Sequence, residues 1–199
     1  MATTYTFETL PEHPGIREVP GDEIRAKIKD PNLQRFRSAF LHEGDLVLDG
    51  DLALSSCRLI VTGSLEVTGS VSTDETATLV VLGNLTCRHL YLEGNLEVQG
   101  NATIKSVLYG FYEAGISRVH GTTSARIGLL GNHDWECDDE QFEVAARFDN
   151  NRKLHDGDPI QLRAALGDRA FEGLSHMMGL SQTRPPGNAA WGLGLFSDL

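Results

Sequence analysis

The cluster of residues with the greatest potential for chemistry is Asn132-His133-Asp134-Trp135-Glu136-Cys137-Asp138-Asp139-Glu140. His133 and Cys137 are residue types that bind zinc, and a neighbouring carboxylate could complete the ligand set. The cluster has no Cys-x-x-Cys or His-x-x-x-His pair, and in a strand Asp134 and Glu136 face away from His133. The pattern therefore predicts a solvated acidic rim and no metal site.

Two further pairings have residue types that enzymes use. Cys87 and His89 could form a nucleophile and its base. Both lie an even number of residues from Leu85, so alternation places them on the same core-facing side as Leu85. This predicts a buried, inert thiol at Cys87 and a corner position for His89. Glu66 and Glu97 occupy the same Gly-x-Leu-Glu-Val slot and would shift each other's pKa if they stacked, although a solvated ladder of acids is the favoured interpretation. No phosphate-binding Gly-x-x-x-x-Gly-Lys-Ser/Thr loop is present. We therefore expect a protein that is not an enzyme, with no catalytic residues and no cofactor.

The charge of the chain restricts its partners. The 199 residues include 17 Lys and Arg against 28 Asp and Glu, for a formal net charge of −11. Residues 1–40 are balanced, whereas residues 41–137 carry five basic and twelve acidic side chains and residues 138–199 carry six and ten. This field repels phosphate backbones and anionic lipids, so we expect neither nucleic acid nor a membrane as partner. It attracts proteins with a basic surface.

Localisation signals and cysteine usage both favour the cytoplasm. The longest apolar runs, such as Leu79-Val80-Val81-Leu82, are far shorter than the about 20 residues that span a bilayer. Residues 1–9 lack the basic and apolar regions of a secretory signal. Cys57, Cys87 and Cys137 are odd in number and widely spaced, which is typical of reduced thiols.

A repeat dominates the middle of the chain: glycine, then a small polar residue, then an apolar one. The copies begin at Gly44, Gly50, Gly63, Gly69, Gly83, Gly94 and Gly100. Some are six residues apart, and the larger unit advances by 17 to 20 residues. A fixed period of this length is typical of solenoid proteins.

Between the glycines the side chains alternate strictly. Apolar residues hold one parity and polar residues the other, as in Val61, Thr62, Ser64, Leu65, Glu66, Val67, Thr68 and Val71. Alternation indicates strands, and glycine every six residues prevents a long flat sheet. We predict an all-β core, a single-stranded parallel β-helix of about five coils with short helical caps at both ends. The rival fold, an antiparallel sandwich, would need longer strands joined by two-residue turns.

The flanks of the repeat are predicted to cap the solenoid. The predicted segments are an N-terminal cap at 1–42, the β-helix at 43–137, a C-terminal strand or helical cap at 138–180, and a linker with an apolar tail at 181–199. Asp30-Pro31 begins a short helix with Leu33, Phe36 and Phe40 on one face. Asp158-Pro159 begins a helix that stops at Gly167, and a second one follows and ends at Gly179.

Two parts of the C-terminal region stay open. In Asp138 to Asn151, Phe142 and Val144 begin an alternation typical of a strand, whereas Asp139 could begin a helix. After Pro185-Pro186-Gly187, the tail is either a mobile end or a strap that returns to the body. We favour the strap, because Trp191, Leu195 and Phe196 would otherwise leave large apolar surfaces in water.

The stretch Leu108-Tyr109-Gly110-Phe111-Tyr112 departs from the repeat pattern, because three of its residues are aromatic where the repeat has small residues. These rings form either an exposed binding patch or an aromatic layer in the core. Aromatic side chains contribute large buried areas, and tyrosine can keep its hydroxyl in water, so the core is the favoured interpretation.

The spacing Val61-x-Gly63-x-Leu65-x-Val67-x-Gly69-x-Val71, repeated from Leu92 to Ala102, resembles the bactofilin, or polymer-forming cytoskeletal, β-helix superfamily. The resemblance covers about half of the chain and implies the fold together with assembly into filaments. This chain departs from that pattern in having some 40 residues before the repeat and 60 after it. The segment from Leu108 to Glu136 also looks like stretches in bacterial solenoid proteins that accompany polymorphic toxins as immunity proteins.

Three hypotheses follow for the function. The first is a monomer or small homo-oligomer that binds and neutralises a basic partner protein by steric occlusion, as an immunity protein does. Its predicted contact residues combine aromatic anchors with acids: Tyr109, Phe111, Tyr112, Glu113, His133, Asp134, Trp135 and Glu136. The second is a self-assembling scaffold of the bactofilin type. The third is an enzyme that uses carboxylates or a metal at the acidic rim.

Overall fold

The computed structural model describes residues 3–27, 38–112, 114–149, 151, 153–181, 196 and 199. Its strands and helices are, in chain order, β1 (Thr3–Tyr5), β2 (Ile16–Pro20), α1 (Gly21–Lys27), β3 (Ser38–His42), β4 (Leu46–Leu48), β5 (Gly50–Leu54), β6 (Arg58–Val61), β7 (Leu65–Val67), β8 (Ser70–Thr73), β9 (Thr78–Val81), β10 (Leu85–Cys87), β11 (His89–Leu92), β12 (Asn95–Val98), β13 (Ala102–Phe111), β14 (Ile116–Gly131), β15 (Asp134–Phe148), β16 (Leu154–Asp156) and α2 (Pro159–Ser175). A 3₁₀ turn, Leu10–Glu12, lies between β1 and β2.

The strands stack in parallel, which confirms the predicted parallel β-helix. Successive rungs comprise residues 40–54, 58–73, 78–92, 95–111, 116–131 and 134–148, and each pairs with the next in parallel register. The solenoid has about six turns, one more than predicted. The sixth is β15, the segment for which the sequence left strand and helix open.

Each rung has three sides. Face A consists of β3, β6, β9, β12 and the first parts of β14 and β15. Face B consists of β4, β7, β10, the first part of β13 and the middle parts of β14 and β15. Face C consists of β5, β8, β11 and the last parts of β13, β14 and β15. One side uses about six residues, which explains the six-residue spacing of the glycines.

Hydrogen bonds between rungs explain why the corners need glycine. At the corner between faces A and B, the residue after each glycine accepts a bond from the backbone N–H in the rung above. The pairs are Asp45 with Ser64 (2.7 Å), Ser64 with Asn84 (3.1 Å), Asn84 with Asn101 (2.8 Å) and Asn101 with Thr122 (2.9 Å). A Cβ atom on the glycine above would meet these side chains, as at Gly83, where Ser64 Oγ would lie 2.6 Å away.

The inward side chains stack in columns and form one apolar core. Leu46, Leu65 and Leu85 lie directly above one another on face B, and each is almost completely buried. Cys87 is fully buried in the neighbouring column, as the alternation predicted, and burial raises the pKa of its thiol. Glu66 and Glu97 do not stack, because the same sequence slot falls on face B in β7 and on face A in β12.

The first rung begins earlier than the sequence predicted. Phe40 lies in β3 and is buried in the solenoid core, so its assignment to a helix was wrong. The neighbouring Leu41 points outward but is buried too, which removes the alternation that marks the other strands. The rest of the predicted helix, from Asp30 to Phe36, lies outside the described residues. The solenoid therefore runs from residue 40 to 148, and the predicted limits of 43 and 137 are too narrow.

The C-terminal helix covers the outside of face C. Asp158 accepts a hydrogen bond from Ile160 N–H (2.8 Å), Pro159 follows it, and α2 begins where the sequence predicted. Gly167 (φ 76°, ψ 163°) interrupts the helical geometry and divides α2 into two segments. The buried side of α2 packs on the outward side chains of face C: Tyr91, Val107, Tyr109, Ile127, Leu129, Ala146 and Phe148.

One residue of the tail joins the same cluster. Phe196 is 1% exposed, and its ring meets that of Tyr109 edge-on, with centroids 5.8 Å apart. The tail therefore returns to the body at this position, in agreement with the predicted strap. Pro185, Trp191 and Leu195 lie outside the described residues.

Face A is covered near its beginning by other described elements, whereas the outward side of face B joins no apolar cluster among them. Val19 of β2 and Ile24 of α1 pack on the outward side chains of Leu41, Ile60 and Val80. The outward column of face B consists of Val47, Glu66, Thr86, Thr103, Ser124 and Gln141. In the described part of the chain, no core cluster includes a residue of this column.

Candidate protein-binding end of the solenoid

The N-terminal end of the solenoid is covered by the chain's own elements. β1 pairs with β5 on face C, and β2 pairs antiparallel with β3 on face A. Leu10, in the 3₁₀ turn, is fully buried and belongs to the solenoid core. These elements provide the capping that an open solenoid end requires.

The C-terminal end is covered much less. Within the described residues, β15 pairs with β14 below it and with β16 at Arg147 and Phe148 only. The rest of its outer edge, from residue 134 to 146, has no strand partner in this part of the chain. A long strand edge of this kind is a template for pairing with another chain. We call it the free edge.

The interior of the last rung is partly open. Trp135, Cys137 and Phe142 face inward and pack on the core, but each is only partly buried because the rung they belong to is the last one among the described residues. Glu140 stands directly above Thr123, whose side chain is completely buried, so Glu140 also points toward the interior. There Arg147 Nη2 donates to Glu140 Oε1 (2.7 Å), and this ion pair bridges faces B and C at the mouth of the solenoid.

The last rung carries a strong excess of acids. β15 contains Asp134, Glu136, Asp138, Asp139, Glu140 and Glu143 against one arginine, Arg147. Arg118, in the rung below, donates to Glu136 (2.8 Å), but Asp134, Asp138 and Glu143 are exposed and have no basic partner within the described ranges. Together these six carboxylates form the acidic rim that the sequence predicted.

The structure brings together only some of the predicted contact residues. Asp134, Trp135 and Glu136 lie in the last rung, and His133 precedes them at the corner. Tyr109 is 1% exposed beneath Phe196, so in this structure it belongs to a packed cluster and not to a contact surface. This placement agrees with the aromatic layer favoured from the sequence, except that the layer lies outside face C, under α2.

The other predicted aromatic residues lie at the edge of this cluster. Phe111 stacks between Tyr109 and Phe148, with ring centroids 6.1 and 6.3 Å away. Tyr112 is partly exposed at the corner that follows, and Glu113 lies outside the described residues. Glu140, Phe142 and Arg147 also lie at this end and were not among the predicted contact residues; the apolar alternation in this segment does not mark Glu140 or Arg147 as inward, because the pattern changes phase at the corners.

His133 has a structural role at its corner. Its Nε2 and the Oγ of the completely buried Ser117 lie 2.8 Å apart, at hydrogen-bond distance. A Cβ on Gly115 would lie 2.4 Å from the His133 ring, so glycine makes room for it. Burial lowers the pKa of His133 to about 4, against the partial opposing effect of Asp134, so the ring is neutral at pH 7.

This shift predicts an acid-sensitive stability. Because the folded pKa is about 4 and the unfolded value is about 6.5, the unfolded chain binds more protons between these pH values. Stability is therefore full above pH 6.5 and falls as the pH drops toward 4. We expect the wild type to lose about 2 kcal/mol more than His133→Gln between pH 7 and pH 4.5 in urea titrations. A parallel loss of stability in the wild type and in His133→Gln would contradict the assignment.

The zinc ligands considered from the sequence are not brought together. His133 and Cys137 are separated by four residues of extended chain, about 13 Å, and Cys137 Sγ lies 3.3 Å from the carbonyl oxygen of Asp139. Within the described residues, no group of three or more His, Cys, Asp and Glu side chains could hold a metal ion. His89 is buried on face C, and burial lowers its pKa.

Two general findings remain, one on membrane-spanning helices and one on similarity to known proteins. In the part of the chain that the structure describes, no helix is both long and apolar enough to cross a membrane. Searches against protein-family models, curated proteins and solved structures find no match to this chain, so its function must be inferred from its own geometry and charge.

Proposed function

We propose that this protein is a non-enzymatic, protein-binding β-solenoid that neutralises a basic partner protein by steric occlusion, as an immunity protein does. The observation that carries the proposal is the difference between the two ends: the N-terminal end is covered by β1, β2 and Leu10, whereas most of the β15 edge is acidic and pairs with no strand in the part of the chain that the structure describes. A rigid body of about six turns behind this end can cover a partner's working surface.

Charge supports a basic partner. The formal net charge of −11 gives a long-range attraction to a cationic surface, which raises the rate of association. The exposed carboxylates of the rim then lie next to the bound surface, while Trp135 and Phe142 provide apolar contact area in the middle of the end. The three described cysteines are free thiols, which fits action in the reducing cytoplasm.

The difference between the covered N-terminal end and the C-terminal end does not favour the bactofilin-type scaffold. Head-to-tail stacking needs both ends free, but β2 covers face A of the first rung and β1 covers face C. Tail-to-tail stacking would bring the six carboxylates of one rim against six of another, which is repulsive. Long polymers in sedimentation at rising protein concentration would reverse this preference.

The test uses two charge-matched variants of the full chain. Asp138→Lys/Glu143→Lys reverses two rim acids, and Glu66→Lys/Glu75→Lys makes the same charge change at exposed positions away from the end. Each protein is used to capture partners from the native host, and the captured protein is identified and its activity measured with and without the solenoid. We expect the wild type and the Glu66/Glu75 variant to bind and inhibit the same basic protein, and the rim variant to bind it at least about tenfold more weakly.

Two results would contradict the proposal. One is the absence of any stoichiometric partner. The other is a captured partner whose activity, or toxicity on expression, is the same with and without the wild-type chain.

A further inference from the structure

The direction of the hydrogen bonds between rungs shows which groups the free edge offers. On face B, each inward-facing residue donates its N–H to the rung above: Leu46 to Ser64 (2.8 Å), Leu65 to Asn84 (2.8 Å) and Leu85 to Asn101 (2.9 Å). Glu140 occupies the same column in the last rung, in register with Thr123, Ala102 and Leu85 below it. Its N–H and C=O therefore point away from the solenoid, and those of Phe142, two residues on, do the same.

On face A, a separate hydrogen bond also shows which backbone groups point toward the free edge. Asp134 N–H donates to Gly115 C=O at the start of the rung below (3.1 Å). Because backbone groups alternate in direction along a strand, Trp135 and then Cys137 present their N–H and C=O groups to the free edge. The edge thus offers donors and acceptors at residues 135 and 137 on face A and at residues 140 and 142 on face B, and the alternation changes phase at the corner between them, at residues 138 and 139.

The side chains around the edge specify what can pair with it. An added strand that bends at the same corner would place side chains over Trp135 on one side of the bend and over Phe142 on the other, and both of these residues are only partly buried and favour an apolar neighbour. Its other side chains would lie beside the outward residues of β15, among them Asp134, Glu136 and Asp139. Cross-strand neighbours of opposite charge stabilise a sheet and like charges destabilise it, so these positions favour Lys or Arg.

We infer that the free edge binds its partner by strand addition: an extended segment that bends once, with basic and apolar residues alternating on each side of the bend, pairs with residues 135–142 and extends the solenoid beyond its last rung. This mode rests on the proposed function, since it names the kind of segment that the partner contributes. A second copy of this chain is a poor occupant, because its own edge carries the same acids. Backbone pairing provides affinity and the rim provides selectivity for charge.

The test measures binding of synthetic peptides to the full chain by titration calorimetry. The probe is the peptide Val-Lys-Val-Lys-Lys-Val-Lys-Val, whose valines match residues 135, 137, 140 and 142 and whose lysines match the residues between them. The first control has the same side chains but a methyl group on every backbone nitrogen, so it keeps its charge and cannot form edge hydrogen bonds. The second control replaces every lysine of the probe with glutamate. We expect the N-methylated peptide to bind about tenfold more weakly or worse, and the glutamate peptide to show no binding.

Variants of the chain locate the binding. Asp138→Lys/Glu143→Lys should weaken the lysine peptide about tenfold, whereas Glu66→Lys/Glu75→Lys should bind it as the wild type does. Equal affinity for the N-methylated peptide would overturn strand addition, and so would equal weakening by both variants. These outcomes are separate from failure of the proposed function: inhibition of a natural partner by charge contacts alone would refute strand addition only. Strand addition without inhibition of the captured partner would refute occlusion only.

Discussion

Gly83→Ala is expected to destabilise the solenoid by about 3 kcal/mol, although it adds only one carbon atom. An ideal Cβ at this position would lie 2.7 Å from both the carbonyl carbon of Gly63 and the backbone nitrogen of Ser64, and 2.6 Å from Ser64 Oγ. Two of these atoms belong to the backbone of the rung below, so no side-chain rotation relieves the contact. The rungs must separate, which weakens the hydrogen bond from Gly83 N–H to Gly63 C=O (2.9 Å).

Urea and thermal unfolding measure this effect. A loss of about 3 kcal/mol lowers the midpoint of thermal unfolding by about 6–12 °C in a chain of this size. Thr86→Ala, on the outward side of the same rung, is the control and should change stability by less than about 0.5 kcal/mol. Equal stability of Gly83→Ala and Thr86→Ala would show that the rungs do not approach each other this closely.

Leu174→Asp is expected to detach α2 from face C. Leu174 is completely buried in the cluster beneath α2, and a carboxylate there has no basic partner among the described side chains of that cluster. Burying it costs about 4 kcal/mol or more, and the loss of the Leu174 side chain weakens docking further, so the undocked state is favoured. Undocking exposes Tyr91, Tyr109 and the other outward side chains of face C, while the solenoid core on the inner side of the sheet stays packed.

This separation can be observed with two probes. Binding of an apolar fluorescent dye and concentration-dependent association should both rise strongly, whereas the far-ultraviolet signal of the β-sheet should persist. Ile160→Asp is the matched control, because Ile160 is 80% exposed on the same helix. Loss of the sheet signal together with the helix would mean that α2 and the solenoid fold as one unit, and unchanged dye binding would mean that α2 does not cover face C.

The repeat was predictable because neighbouring residues within each rung determine its corners and its strands. Glycine at each corner and alternation between corners are read directly from the sequence, as in the unit from Gly63 to Gly69. The stacking of Leu46, Leu65 and Leu85 then follows, because only parallel rungs in register bury all three. The start of α2 was also predictable, because the N-cap residue Asp158 and the following Pro159 begin a helix by local chemistry alone.

The first and last rungs were harder to predict because their surroundings change the pattern. Phe40 and Leu41 are both buried, one in the core and one under α1, so β3 does not alternate. In β15 the inward positions include Glu140 and Arg147, which no rule based on apolar alternation assigns to an interior. Their mutual ion pair satisfies both charges, and only the register of the strands shows that they face each other.

The candidate site was predicted in part for the same reason. The acids from Asp134 to Glu140 were identified as a rim, because consecutive carboxylates are visible in the sequence. The sequence did not show which of the predicted aromatic contact residues are buried and which remain partly exposed. Tyr109 packs beneath Phe196, nearly ninety residues further along the chain, whereas Trp135 remains partly open in the last rung.

Amide hydrogen exchange in the free protein tests most directly whether the last rung is open. If the edge of β15 is free, the amides of Glu140 and Phe142 exchange with solvent far faster than those of Thr123 and Ala125, which lie in register directly beneath them. Equal protection of the two pairs would show that another segment already occupies the edge, and binding of a partner at this end would then be contradicted.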